Sequence, residues 1–449
     1  MIPLHVTLSH YKRREIQEEI VTAAKLREIA VRYEDSFGKR PDILVNAADI
    51  LELAKQKATS FHFSEELWRN PMRLAPSLRK QELDELRLGW DLVIDIDCSV
   101  FEYSRIAADL VIKALRYYDI QAVSCKFSGN KGFHIGVPFE AFPEVIQGKK
   151  TVGLFPEAAR HIALYLKEMI KKPLSKEIMK YENGDFSVIL QKTDGKKEEL
   201  ITTEVDEHGY KVSVLNAEPF LAIDTILISS RHLFRSPYSL HEKSGLVSIP
   251  LDPEKVLEFE RNDAASEKVI VSKFRFLDRD HVRKGEGMQL LTQALDFALK
   301  EEKNDRKGIV HAAIENAIPE QFFPPCMQLL AKGISDGKKR AVFAMVNFLS
   351  SIGWSYDQIE NYLREWNKRN PEPLRETILV GQIRYHKQQG KKIMPPNCNN
   401  AMYYKAIGVC RPDEFCKRIR NPASYAIKKA QLAQQEASKT TRREKKKAE

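Results

Sequence analysis

Apolar and polar positions change their rhythm along this chain. From Tyr11 to about Ala58, apolar residues recur between long charged runs at helical spacing, with a break at Gly38-Lys39-Arg40-Pro41. That predicts helices on either side of a turn. Leu92-Val93-Ile94-Asp95-Ile96-Asp97 is short, branched and apolar, and predicts a core strand. A helix is expected from Ser104 to Tyr118. Ala122–Phe127 and Phe133–Val137 read as two strands joined by the tight turn Ser128–Gly132. Residues 151–220 combine a helix over about Glu157–Lys171 with strand-like segments, and Phe220–Ile249 returns to strand and short helix. The first half is therefore mixed α and β, the texture of a site-bearing α+β domain. From about Asp252 charged helices take over, including Met288–Glu302, and residues 338–369 keep the helical spacing. A domain boundary falls between 255 and 320.

Composition narrows the class. A chain of 449 residues exceeds what one core organises, so two or three domains are expected, and 43% apolar residues suffice to fill them. No run approaches the roughly 18–20 apolar residues of a membrane span. Lys12, Arg13 and Arg14 stand where a signal peptide would need its apolar stretch. The expectation is a soluble, cytoplasmic protein with no membrane partner. Lys plus Arg exceed Asp plus Glu by 72 to 62, a net charge of +10, with a pI near 9.0. Such an excess favours a polyanionic partner, because neutralised phosphates release counterions. Part of it lies in the tail: eight basic against three acidic residues from Lys428 onward give +5. That tail reads either as a solubilising helix or as an arm for nucleic acid.

Three clusters carry candidate chemistry. Asp95 and Asp97 are two apart on a strand, so both carboxylates project from one face. Two such anions repel unless a cation sits between them, and hard oxygens suit Mg²⁺ or Mn²⁺; the plainer alternative is a strand end meeting solvent. Ser128-Gly129-Asn130-Lys131-Gly132-Phe133-His134 places two glycines among donors, which suits triphosphate oxygens or is merely a solvated hairpin. In the third cluster Asp224 ends an apolar strand, as a third carboxylate or a helix N-cap. It is followed by Arg235, His241 and Lys243, which would be cations for phosphates. Carboxylates plus cations are what metal-assisted phosphoryl transfer needs.

In this order, DLVIDID, SGNKGFH, and Asp224 followed by RHLFRSPYSLHEKSGLVSIPL resemble the three-motif signature of the archaeo-eukaryotic primase small subunit. The upstream ATSFHFSEELWRNP and ELDELRLGWDL are also similar to archaeal members, and the likeness covers about residues 10–255. It implies that Asp95, Asp97 and Asp224 bind the catalytic metals. It also implies that Ser128, Gly129, Lys131, His134, Arg235 and His241 meet the incoming nucleotide. Lys131 stands where many members have Arg, which keeps a cation and loses a bidentate fork. Many members carry a zinc knuckle between the second and third motifs; residues 135–223 have no cysteine and only His161 and His208, so none is expected.

Six cysteines in a long chain without a secretory signal read as thiols or metal ligands rather than disulfides. Cys326, Cys398, Cys410 and Cys416 are separated by 71, 11 and five residues, without zinc-finger spacing. They are either unrelated core thiols or four thiolates able to hold a cubane cluster. KKIMPPNCNNAMYYKAIGVCRPDEFCKRIRNPASY, with the earlier PPC, resembles the iron–sulfur domain of the primase large subunit over about residues 321–428. That resemblance implies a [4Fe–4S] cluster on these four. Cys98 and Cys125 read as core thiols.

The expected architecture is α+β: a primase catalytic domain with an RRM-like palm core and flanking helices and strands over 1–255. A helical linker over 256–320, a mostly helical iron–sulfur domain over 321–428 and a disordered basic tail over 429–449 follow. The expected function is a monomeric nucleotidyltransferase making short primers on single-stranded DNA from nucleoside triphosphates, alongside other replication proteins. A primer-extending repair or translesion polymerase, a non-catalytic nucleic-acid-binding protein and a metal-dependent nuclease are the alternatives. Ribo- or deoxynucleotide preference, primer length, start site and any redox role of the cluster are not legible in the sequence.

Overall fold

The computed structural model describes residues 2–433 except 34–35, 76, 206–209, 224–227, 308–316, 389–393 and 401–402. By contact the chain divides into two compact units, residues 1–307 and 308–449.

The first unit is α+β. Its helices are α1 (Leu4–Tyr11), α2 (Arg14–Ala24), α3 (Ala47–Lys55), α4 (Lys80–Leu86), α5 (Phe101–Tyr117), α6 (Glu157–Tyr181), α7 (Phe186–Thr193), α8 (Lys197–Leu200) and α9 (Met288–Lys307). Its strands are β1 (Ile29–Tyr33), β2 (Ser36–Phe37), β3 (Ala58–Ser64), β4 (Glu66–Trp68), β5 (Arg87–Trp90), β6 (Leu92–Cys98), β7 (Ser124–Phe127) and β8 (Phe133–Val137). They continue with β9 (Val145–Ile146), β10 (Lys149–Lys150), β11 (Ile201–Val205), β12 (Lys211–Leu215), β13 (Leu221–Ile223), β14 (Leu233–Arg235) and β15 (Pro250–Leu251).

The central element is a five-stranded antiparallel sheet of order β13-β6-β8-β7-β15. Alternation decides its two faces. Leu92, Ile94, Ile96 and Cys98 of β6 join Phe133, Ile135 and Val137 of β8 and Cys125 and Phe127 of β7 in one core. Tyr103, Ala107, Val111 and Leu115, spaced by four along α5, cover that face together with Ile162, Leu166 and Ile170 of α6. Each Val, Leu, Ile or Phe among them contributes roughly 1.5–3 kcal/mol on burial. The alternate residues Val93, Asp95 and Asp97 are left for the other face. A second core gathers Val93 with Tyr11, Ile16, Ile29, Phe61, Phe63, Phe234 and Tyr238, around the four-stranded sheet β14-β3-β1-β2.

The N-terminal region departs from the helical expectation. Ile29–Tyr33 is a strand paired with β3, and Ile29, Ala30 and Val31 are buried. Their apolar run belongs equally to a helix or a strand by spacing; pairing with Ala58–Ser64 decides it, a contact no local pattern contains. Phe220–Ile249 contains strands β13 and β14 and no helix among its described residues. The helix expected to end near Lys171 continues to Tyr181 through Pro173.

Residues 256–307, read from the sequence as a linker, pack on the first unit: Val256, Phe259, Ala264, Leu290, Leu291 and Ala294 lie in its core. The second unit is helical, with α10 (Pro325–Ala331), α11 (Lys338–Ser351), α12 (Tyr356–Lys368) and α13 (Glu376–Gln388). Residues 422–433 are also helical, and the remaining tail lies outside the described residues. Leu330, Val342, Met345, Leu363, Trp366 and Tyr404 form this unit's core. α12 starts on a capping box in which Ser355 accepts from Gln358 N and the Gln358 side chain reaches back. Among the described residues no helix is long and apolar enough to cross a membrane.

Candidate active site and cysteine centre

Register across the five-stranded sheet builds one row of polar side chains. Asp95 of β6 lies opposite His134 of β8, and His134 lies opposite Lys126 of β7. Directly opposed residues share a face. His134 Nε2 stands 3.4 Å from Asp95 Oδ1. Asp95 is partly exposed and Asp97, two residues on, is exposed. Lys126 is fully buried; its Nζ donates to Ser248 Oγ at 2.8 Å and lies over the Phe234 and Phe276 rings.

The glycine turn is folded back on this row. Ser128 N donates to Gly132 O at 2.9 Å, and Gly132 N donates to Ser128 Oγ at 3.3 Å. A Cβ on Gly132 would lie 2.0 Å from Ile96 O. Gly129 has φ +97°, and a Cβ there would meet His241 Cβ at 2.9 Å. Ser244 Oγ also donates to Gly129 O. The second and third sequence clusters are therefore in contact. Lys131 and Lys243 are exposed.

The four-stranded sheet supplies the other wall. Arg235 of β14 lies opposite His62 of β3, and Arg32 of β1 opposite Ser60 of β3. Arg235 Nη1 donates to Leu240 O at 2.9 Å, and its Nη2 pairs with Glu242 Oε2 at 2.8 Å. Ser60 Oγ and His62 Nε2 are 3.1 Å apart.

Burial governs the charge states. His134 is held well below the usual imidazole range, first by desolvation and then by Lys126 and Arg235. The same causes, with Arg32, lower His62. His241 falls to about 4 through burial and Arg235, opposed by Glu242. His241 is therefore a neutral donor or acceptor at pH 7, where the sequence reading made it a cation. Lys126 is lowered well below the lysine range by burial and Arg235, with Asp95 opposing.

Asp224 lies outside the described residues. Its chain neighbour Ile223 is paired with Ile96, the residue between the two aspartates. Beyond the gap, Arg160 Nε donates to Ile228 O at 2.6 Å. Ser230 Oγ donates to Glu66 Oε1 at 2.9 Å, and Arg231 Nη2 pairs with Glu28 at 2.6 Å. Both flanks of the segment are thus tied to the unit. Lys126, Arg32, His62, Ser60 and Glu242 escaped the sequence reading. A lysine inside the apolar run Val123–Phe127 is the one signal that could have found a member of this set.

In the second unit Cys326, Cys398, Cys410 and Cys416 are half-buried and line one cavity of about 620 Å³, with Asn397, Tyr404, Lys405, Arg411 and Arg420 also around it. Burial raises the Cys326 thiol, and Cys398, Cys416 and Cys410 raise it further. Cys398 is pushed up to about 11 by burial, then by Cys416 and Cys410. Among the described residues no three Cys, His, Asp or Glu side chains close on a point as one ion requires. Four thiols lining one cavity form a sulfur donor set that a metal centre could use. Cys98 and Cys125 are buried in the first unit.

Residues 94–253 match the family model of the DNA primase small subunit. Residues 316–448 match the model for the C-terminal domain of the eukaryotic and archaeal DNA primase large subunit. The chain is similar to the DNA primase large subunit PriL of Thermoplasma acidophilum, 26% identical over 159 residues, covering 34% of this chain and 45% of that protein. It is also similar to PriL of Methanosarcina barkeri, 29% identical over 123 residues, 26% of this chain and 28% of that protein. The chain spans less than half the length of these curated relatives. Among solved structures, the polymerase domain from Mycobacterium tuberculosis ligase D in complex with DNA aligns with a TM-score of 0.34 at 14% identity, covering 65% of this chain and 88% of that one.

Proposed function

We propose that this chain, which belongs to the DNA primase family and joins the domain of the small subunit to the C-terminal domain of the large one, is a single-polypeptide primase making short primers on single-stranded DNA. The observation that carries the reading is the row Asp95, His134 and Lys126, faced by Arg235 and backed by the Ser128–Gly132 turn against His241.

In this reading the 3′-hydroxyl of one nucleotide attacks the α-phosphate of the next, and pyrophosphate leaves. Asp95, Asp97 and Asp224 would hold Mg²⁺ or Mn²⁺. When bound, such ions lower the pKa of the attacking hydroxyl and offset charge on the leaving group. The chain's own residues do the rest. The Ser128–Gly132 turn offers close backbone approach to phosphate oxygens. Arg235 supplies a fixed cation at the triphosphate tail, with Lys131 nearer solvent. His134 and His241, neutral at pH 7, orient oxygens by hydrogen bonds rather than by charge. Cys326, Cys398, Cys410 and Cys416 would hold a [4Fe–4S] cluster that ties distant segments of the second unit together. Basic surface would grip the template with little sequence preference.

The test supplies the full chain with circular single-stranded DNA, nucleoside triphosphates and Mg²⁺ or Mn²⁺, and no primer. Short labelled products are expected from the wild type and none from Asp95→Asn. Synthesis only when a primer is added would replace this reading with the repair or translesion polymerase. No synthesis in either case would end it.

A further inference from the structure

Glu242 is unusual in its surroundings. It sits on the tight turn that follows His241, where Gly245 N donates to His241 O at 2.8 Å. From there its carboxylate reaches three strands of the four-stranded sheet. Arg235 Nη2 of β14 approaches Oε2 at 2.8 Å, Arg32 Nη1 of β1 approaches Oε1 at 3.3 Å, and Ser60 Oγ of β3 donates to Oε2 at 3.4 Å. The Glu242 and Arg235 side chains are 11% and 9% exposed. One carboxylate thus pairs with two guanidiniums, and a net positive charge is left on the trio.

We infer that Glu242 is a specificity-determining stand-in for phosphate, occupying Arg235 and Arg32 until a polyphosphate of sufficient charge displaces it. The inference rests on the nucleotide reading of this site. A buried arginine–carboxylate pair roughly breaks even against its desolvation. It therefore yields to an anion that brings more charge and more acceptor oxygens to the same fork. A triphosphate tail meets that condition better than a pyrophosphate, so the resident carboxylate sets a charge threshold. It favours substrate entry and release of the shorter product. A carboxylate that merely held the two arginines apart would act the other way, and its loss would weaken every anion.

The experiment uses the full chain and Glu242→Gln, which keeps shape and the Ser60 contact but removes the charge. Binding of inorganic tripolyphosphate and of pyrophosphate is measured by calorimetry without divalent metal, and primer synthesis is followed in parallel. The variant is expected to bind both anions more tightly, pyrophosphate gaining most. The tripolyphosphate preference should narrow by about threefold or more, and pyrophosphate should inhibit synthesis more strongly. Ser60→Ala, which loosens the carboxylate without removing it, should narrow the preference less, and keeps the test open if Glu242→Gln unfolds. An unchanged preference, or weaker binding of both anions, overturns the inference. Primer synthesis with an unnarrowed preference sinks this inference alone. A narrowed preference in a protein that makes no primers sinks the primase reading and leaves this one standing.

Discussion

Asp95 and His134 are opposed across the β6–β8 pair, with Oδ1 and Nε2 3.4 Å apart. Burial and the nearby Lys126 and Arg235 keep that imidazole from protonating. A neutral imidazole adds no positive charge beside Asp95. Asp95→Asn should lower nucleotide incorporation by at least about a hundredfold while leaving the thermal midpoint within a few degrees of wild type. Asp224→Asn is expected to do the same. An Asp95 variant with wild-type incorporation would remove this residue from the reaction.

Gly132 admits no side chain. A methyl there would lie 2.0 Å from the Ile96 carbonyl, against backbone that carries the aspartates. Gly132→Ala should destabilise the first unit by about 1–3 kcal/mol or more and abolish incorporation. Gly153, with nothing within 4 Å of a built Cβ, is the control. Gly153→Ala should leave denaturant midpoints within experimental error.

Asp91 is completely buried, between Arg27 and Arg279. It also accepts from Phe139 N at 2.9 Å. Burial raises its pKa, and the two guanidiniums more than reverse that. Removing it strands Arg27, itself 5% exposed. Asp91→Ala should cost about 3–5 kcal/mol in urea unfolding. A loss below about 1 kcal/mol would mean that water reaches these guanidiniums.

His10 predicts acid sensitivity. Desolvation lowers its pKa to about 4, although its Nε2 meets Tyr238 O at 2.8 Å. The unfolded chain takes up a proton near pH 6.5 while the folded ring does not. Stability from this group is therefore complete above about pH 6.5 and falls as pH drops toward 4. His10→Gln should flatten the decline of melting temperature over that same interval. An unchanged slope would assign the acid sensitivity to other groups.

The cysteines divide by location. Protein purified without oxygen should be coloured and carry about four iron and four sulfide per chain. Cys326→Ser, Cys398→Ser, Cys410→Ser and Cys416→Ser should each lose that iron, whereas Cys98→Ser and Cys125→Ser should keep it. A colourless protein with zinc would reassign the second unit and leave the first untouched.

Much of this was legible along the chain. The β6 alternation of Leu92, Ile94, Ile96 against Asp95 and Asp97 announces both a buried face and a carboxylate-bearing one, since strand period two is a local property. The Ser128–Gly132 turn is equally local, because its glycines and flanking apolar runs are contiguous. Ile29–Val31 was not legible as a strand, for its partner lies about thirty residues away by register.

Residue order alone shows which groups could bear chemistry: two carboxylates on one strand face, a glycine turn rich in donors, and four cysteines without finger spacing. What these groups are to one another comes from the packed chain. Packing set His134 beside Asp95, buried Lys126, silenced three histidines by desolvation, and gave Arg235 and Arg32 a shared carboxylate in Glu242. Charge state and pairing depend on burial and on neighbours from distant strands, and neither quantity is local in the chain.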